Sequence, residues 1–247
     1  MRSGFLSRGF TLIELMIALG IASFLITAVT QLVVATGTSY RLQQNLGALQ
    51  ENARFALNTM QREIEAAGYR QQPWDSSNDR AIDSVASVSK FADSISVRRW
   101  SNRNCFDNPN PDLDTSGRPK FYLRETTFTL SSSKNLAQNC RYGPDPSLLT
   151  TQINNLGLVE NAEALQALYA EDSDSDGNAD RWVTAGQWQD ESNVKAVRLA
   201  ILLSTPDSVS SIDKSSIQVL DTSITPPGDG RIRRVFESTF TIKGRLN

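Results

Sequence analysis

Arg8-Gly9-Phe10-Thr11-Leu12-Ile13-Glu14-Leu15-Met16-Ile17-Ala18-Leu19, continued by an apolar run to Ala35, is the stretch on which the rest of the chain depends. Between Phe10 and Ala35 the only charged residue is Glu14. At about 1.5 Å of rise per residue, a helix of this length covers the roughly 30 Å of a bilayer's hydrocarbon core. An ionisable group inside such a segment is costly unless paired, and it reads as functional, with a cation to be found for it. Arg2 and Arg8 precede the run, and no Lys or Arg follows until Arg41. The positive-inside rule therefore leaves the N-terminus in the cytoplasm and carries the rest outward. A secretory signal would have a shorter apolar core with a small-residue cleavage site after it, so this segment is expected to stay in the mature chain.

Beyond the run the pattern changes from all-round apolar to one-sided. Leu42, Leu46, Leu49, Ala53, Ala56, Met60, Ile64 and Ala67 recur every three or four residues, with Arg, Gln and Glu between them. That spacing predicts one long helix from about Phe10 to Ala67, stopped at Gly68-Tyr69. A one-sided helix must rest on something, and the natural support is a sheet built by the remaining chain. Gly20, Gly37 and Gly47 each weaken the helix by about 1 kcal/mol relative to alanine.

Gln71 to Asp79 reads as a loop. Ser94–Trp100 and Phe121–Leu130 alternate in the manner of strands, with a polar excursion from Asn102 to Pro119 between them. Asn155–Ala170 is expected to be a short helix passing into a strand. Val194–Leu203 is apolar on both faces and predicts a central strand. Pro226-Pro227-Gly228-Asp229-Gly230 turns the chain into a last strand, Arg233–Ile242.

Net charge is −2, so no basic surface for nucleic acid is indicated. The chain has no histidine, which removes the commonest general base and transition-metal ligand together. No phosphate-binding glycine loop or nucleophile–base set is present, and the chain reads as a non-enzyme. Trp74, Trp100, Trp182 and Trp188 are the aromatic residues that could line a sugar site or simply pack. Cys105 and Cys140 are the only cysteines; in an exported domain such a pair reads as a disulfide, the alternative being two free thiols. Asp172-Ser173-Asp174-Ser175-Asp176-Gly177-Asn178-Ala179-Asp180 places oxygens at alternate positions with a glycine at the sharp turn. It is similar to a calcium-binding loop with Asp172, Asp174, Asp176, Asn178 and Asp180 as candidate ligands. The twelfth place, usually glutamate, is Val183; Asp190 or Glu191 could serve instead. The same residues also describe a solvated acidic turn.

The first stretch resembles the type III signal of prepilins: a basic leader, Gly9-Phe10, and Glu14 at a fixed offset ahead of an unbroken apolar run. The resemblance implies that prepilin peptidase cuts after Gly9, that Phe10 becomes a methylated N-terminus, and that Glu14 neutralises the amine of a neighbouring subunit. Gly4-Phe5 is a second Gly-Phe, but cutting there would misplace Glu14. Ser39–Gln43, Leu49–Leu57, Ile64–Arg70 and the region 160–204 are similar to the PilW group of type IV minor pilins, whereas 71–154 matches weakly. Implied are an α+β type IV pilin fold, with a long N-terminal helix, membrane-spanning in its first half, packed on an antiparallel sheet. Implied domains are a leader (1–9), a membrane and filament-core helix (10–37), its amphipathic continuation (38–70) and a periplasmic β-rich head (71–247). The implied role is priming or capping pilus assembly, in a complex with other minor pilins at the pilus tip, with the inner membrane as the store before assembly and the major pilin as a further partner. Alternatives on the same architecture are a type II secretion minor pseudopilin and a tip adhesin that binds through the excursion or the tryptophans.

Overall fold

The computed structural model describes residues 11–70, 82–85, 94–208 and 214–245. The loop expected at Gln71–Asp79, Trp74, and the junction Gly9-Phe10 lie outside the described residues. Helix α1 runs unbroken from Leu12 to Glu65. Its start is a capping box. Thr11 donates its backbone N–H and its hydroxyl to Glu14 Oε2, both at 2.9 Å, and the Glu14 amide points back to Thr11 Oγ1 at 3.4 Å. Its end is a turn closed by Gly68 at φ 74°, whose amide donates to Arg98 O. None of the three helix glycines has a neighbour that an added Cβ would meet.

The chain divides into two compact units, residues up to Asn45 and residues from Leu46 onward. In the first, the apolar side chains from Leu12 to Val34 are exposed. The hydroxyls of Ser23, Thr27, Thr30, Thr36 and Thr38 all bond back to carbonyls three or four residues earlier. Those polar groups therefore carry their own partners into an apolar medium.

In the second unit the helix buries Leu49, Ala53, Ala56, Thr59, Met60 and Ile64. The expected support is two sheets rather than one. One joins β1 (Ile82–Val85), β2 (Ser94–Ser101), β3 (Tyr122–Leu130), β4 (Leu136–Gly143) and β5 (Thr150–Val159), each antiparallel to the next. The other uses β6 (Ala162–Glu171), β7 (Arg181–Val183), β8 (Val194–Ser204) and the late strand Arg233–Thr241, in the order last strand, β8, β6, β7. A hairpin of β9 (Ile217–Val219) and β10 (Thr222–Ile224) precedes that last strand, β11. Ile95, Val97, Phe128 and Leu136 from the first sheet and Leu165, Tyr169, Val197, Leu199 and Ile201 from the second meet the helix in one core.

Strand β8 shows why its sequence is apolar throughout. It is flanked by β6 and β11. Val197, Leu199, Ile201 and Leu203 join the helix-side core, while Ala200 and Leu202 pack with Val219 and Ile224 of the hairpin. Both faces are covered, so no alternation survives. The helix expected at the start of Asn155–Ala170 is absent. That stretch is the end of β5 and then β6, separated at Glu160-Asn161, where Asn161 adopts φ 56°. The apolar residues of β6 face both core clusters, and the resulting run mimics helical spacing.

A partly buried ionic cluster fastens the helix to the first sheet. Glu63 Oε1 accepts from Arg124 Nη2 at 2.9 Å and lies 3.5 Å from Arg99 Nη2, and Glu63 Oε2 accepts from Thr126 Oγ1 at 3.2 Å. Burial pushes the Arg124 guanidinium below its ordinary range, against the attraction of Glu63.

Candidate assembly site and acidic loop

Glu14 stands at the first turn of α1 among exposed apolar side chains. Its carboxylate is engaged by Thr11 through one oxygen, Oε2. A carboxylate so placed stabilises the positive end of the helix dipole and keeps a second oxygen for another donor. The cap role was readable from Thr11-x-x-Glu14, the signature of a capping box, and the sequence reading passed over it.

Cys105 and Cys140 are joined, with Cα atoms 5.9 Å apart. The bond ties the excursion between β2 and β3 to β4. Two isolated bridges, Arg103 with Pro109 and Leu113 with Pro119, shape that excursion. Its neck is held by buried Asn110, whose Nδ2 donates to Ser101 O at 2.8 Å and to Lys120 O at 2.9 Å. Tyr122 donates to Asp112 Oδ2 at 2.5 Å, and that bond, with burial, pushes its hydroxyl up to about 12.

The acidic tract forms the connection from β6 to β7. Asp172, Asp174 and Asp176 each bring a carboxylate oxygen within 4.8 Å of the others. Asp172 is buried; its oxygens accept from the amides of Asp176 and Gly177 and face Lys195 Nζ at 3.5 Å. Gly177 sits at φ 94°, as a sharp turn requires. Two more of the expected ligands make hydrogen bonds within the loop itself. Asp180 Oδ2 accepts from the amide and hydroxyl of Ser173, both at 2.7 Å, and Asn178 Nδ2 donates to Asp176 Oδ2 at 3.2 Å. The Ser173 bonds hold the Asp180 carboxyl below its ordinary range. Asp190 caps the 3-10 turn Glu191–Asn193 through Ser192 N, and the carboxylates that converge are those of Asp172, Asp174 and Asp176 among the described residues. Glu171 is buried and belongs to the frame of the loop. It accepts from Arg181 Nε and Nη2 at 3.0 and 2.8 Å and from the amides of Gln189 and Asp190. Burial works against its ionisation, but the amides and the guanidinium outweigh it and hold the carboxyl below the ordinary range. The residues present thus fit a hard cation in part: three converging carboxylates on a turned loop, with Lys195 already offsetting one charge.

The tryptophans do not assemble into one platform among the described residues. Trp182 stacks under Arg198, 4.1 Å from ring centroid to guanidinium, and Trp188 meets Tyr169 edge-on at 5.1 Å. Trp100 lies on β2 of the other sheet.

A long helix laid on antiparallel strands, opened by an apolar segment with one carboxylate, defines a class, and the comparisons agree with it. The chain is similar in fold to a type IV-like pilin from Thermus thermophilus, at 17% identity and a TM-score of 0.54, covering 81% of this chain and 100% of that one. At that identity the likeness speaks to the fold alone, which is the type IV pilin fold. Residues 5–30 match the model of the prokaryotic N-terminal methylation motif. Residues 117–244 match the model of type IV pilus-assembly protein W. That match spans more than half of the chain, and the chain belongs to this PilW family of type IV minor pilins. No curated protein matches it in sequence. The match begins at residue 117, within the part that the sequence reading left weakly matched. The methylation motif and the apolar helix together mark a membrane-anchored pilus component that prepilin peptidase processes.

Proposed function

We propose that this chain primes assembly of a type IV pilus and sits at its tip, in a complex with other minor pilins and joined to the major pilin. The observation that carries the reading is Glu14: a lone carboxylate, half satisfied by its own cap, at the start of a helix whose apolar side chains from Leu12 to Val34 are exposed. Buried in a bundle of such helices, that carboxylate needs a cation. Cleavage after Gly9 would supply one as the amine of Phe10 on a neighbour. The N-terminus lies in the cytoplasm and residues 71–247 in the periplasm before assembly. The leader is 1–9, the filament-core helix 10–37 and its continuation 38–70. The role is structural, and no catalytic residues are assigned.

The test is a deletion strain combined with gold labelling of sheared pili. The proposal expects few or no surface pili without the protein, and label at one end of each pilus in the wild type. Label along the shaft, or normal piliation in the deletion, would overturn it. Normal pili with failed protein secretion would favour a secretion pseudopilin.

We propose further that the Asp172–Asp180 loop takes up calcium. Its three converging carboxylates support this reading, and the metal would have to compete with Lys195 for Asp172.

A further inference from the structure

The C-terminal end of the helix borders a groove of about 760 Å³ between the last helical turn, β2 and the segment after β11. That volume lies within the range of ligand clefts. Its apolar wall is Tyr69, Trp100 and Phe121; Tyr69 is half exposed, and its ring centroid lies 6.5 Å from that of Phe121. Its charged lining is three cations, Arg62, Arg99 and Lys243, against one anion, Glu65.

The pairing inside the groove does not balance. Lys243 holds Glu65 at 2.5 Å. Arg99 has only a share of Glu63, at 3.5 Å, because Arg124 holds the same oxygen at 2.9 Å. Arg99 Nε is buried with no hydrogen-bond partner, as is Arg124 Nε. Arg62 is exposed and has no partner among the described residues. Buried donors without acceptors are uncommon and costly, and an excess of one sign beside an aromatic wall raises a local field that attracts the other sign. Tyrosine, tryptophan and arginine together are also the side chains that dominate protein–protein contacts.

We propose that this groove receives a carboxylate flanked by apolar side chains, on a segment of another pilus subunit. The carboxylate would sit between Arg62 and Arg99, and its apolar neighbours would cover Tyr69 and Phe121. The proposal rests on the reading above that this chain assembles with other pilins.

The experiment places a photo-reactive benzoylphenylalanine at Tyr69 in the full-length protein, in cells carrying the pilus system, and identifies the crosslinked peptides by mass spectrometry. A second site, Leu25 in the apolar helix, reports assembly alone. Expected is a Tyr69 crosslink to a segment of another pilus subunit that carries Asp or Glu. Its yield should fall at least tenfold in Arg62→Glu, with the melting temperature and the Leu25 crosslinks unchanged. Three outcomes overturn the groove while leaving the assembly reading intact: Leu25 crosslinks without Tyr69 crosslinks, Tyr69 crosslinks only to carbohydrate or to segments without acidic residues, or a yield indifferent to Arg62→Glu. Loss of crosslinks at both sites overturns the assembly reading itself.

Discussion

Replacing Glu63 by Gln tests what fastens the helix to the first sheet. The Glu63 side chain is 13% exposed and that of Arg124 9%, and Glu63 also serves Arg99 and Thr126. The substitution leaves Arg124 charged, buried and without its counter-ion, a change that costs about 3–5 kcal/mol in buried pairs. For a unit of this size each kcal/mol moves the midpoint by roughly 2–4 °C, so the melting temperature should fall by roughly 6–20 °C. The same chemistry about three turns of helix earlier supplies the control. Glu51 pairs with Arg54 at 2.8 Å, but both side chains are about two-thirds exposed, and solvent screens such pairs. Glu51→Gln should leave the midpoint unchanged. Adding Arg124→Met to Glu63→Gln removes the orphaned charge and should recover a large part of the loss. The assay is thermal unfolding of the full-length protein in detergent, followed by tryptophan fluorescence. A drop of less than about 3 °C for Glu63→Gln, against the roughly 6 °C minimum expected, or equal drops for the two glutamates, would show that burial does not set the strength of this fastening.

Other expectations follow from the remaining sites. Glu14→Gln keeps an oxygen for Thr11 and so keeps the cap, but it cannot pair with an ammonium. It should be processed normally yet fall roughly a hundredfold or more in sheared pili, as should Glu14→Ala, and wild-type incorporation of the Gln variant would limit Glu14 to capping. Breaking the bond between Cys105 and Cys140, which closes a loop of 35 residues, should cost about 3–4 kcal/mol. Limited proteolysis should then cut first between 102 and 119, and an unchanged cleavage pattern would argue that the bond is dispensable. Excess calcium should raise the melting temperature over a chelated sample, and Asp174→Asn with Asp176→Asn should abolish the difference; equal temperatures in the wild type would leave a plain acidic turn. Because the Glu171 carboxyl is held below its ordinary 4.5, its contribution is complete above that value and drains away as pH falls through the lower, folded value. Melting curves of the wild type and Glu171→Gln should therefore converge in acid, and a gap that stays constant down to pH 3, about a unit below the ordinary carboxylate range, would contradict the assignment.

What the sequence discloses divides along physical lines. The long helix was legible because its cause is local: an unbroken apolar run, then a one-sided pattern, then Gly68 where φ must be positive. Strand β8 was legible as central because an apolar residue on each face leaves no other place for it. The β5–β6 junction was misread because its strands lie in different sheets, and burial on both sides of β6 erased the period of two. The split of the support into two sheets, and the sharing of Glu63 by Arg99 and Arg124, depend on pairings between residues far apart in the chain. No window of sequence holds both partners. At the acidic loop the spacing named Asp172, Asp174 and Asp176, which do converge. It could not name Lys195, which reaches Asp172 from β8.

The central claim is that an amine created at Phe10 meets the carboxylate of Glu14 on a neighbouring subunit. Intact mass and N-terminal peptide mapping of the protein recovered from pili measure this most directly. The account requires a chain that starts at Phe10 and carries a methyl group on its N-terminal nitrogen. A chain from pili that still begins at Met1, or at Phe5 after the earlier glycine, would leave Glu14 without that partner and contradict the account.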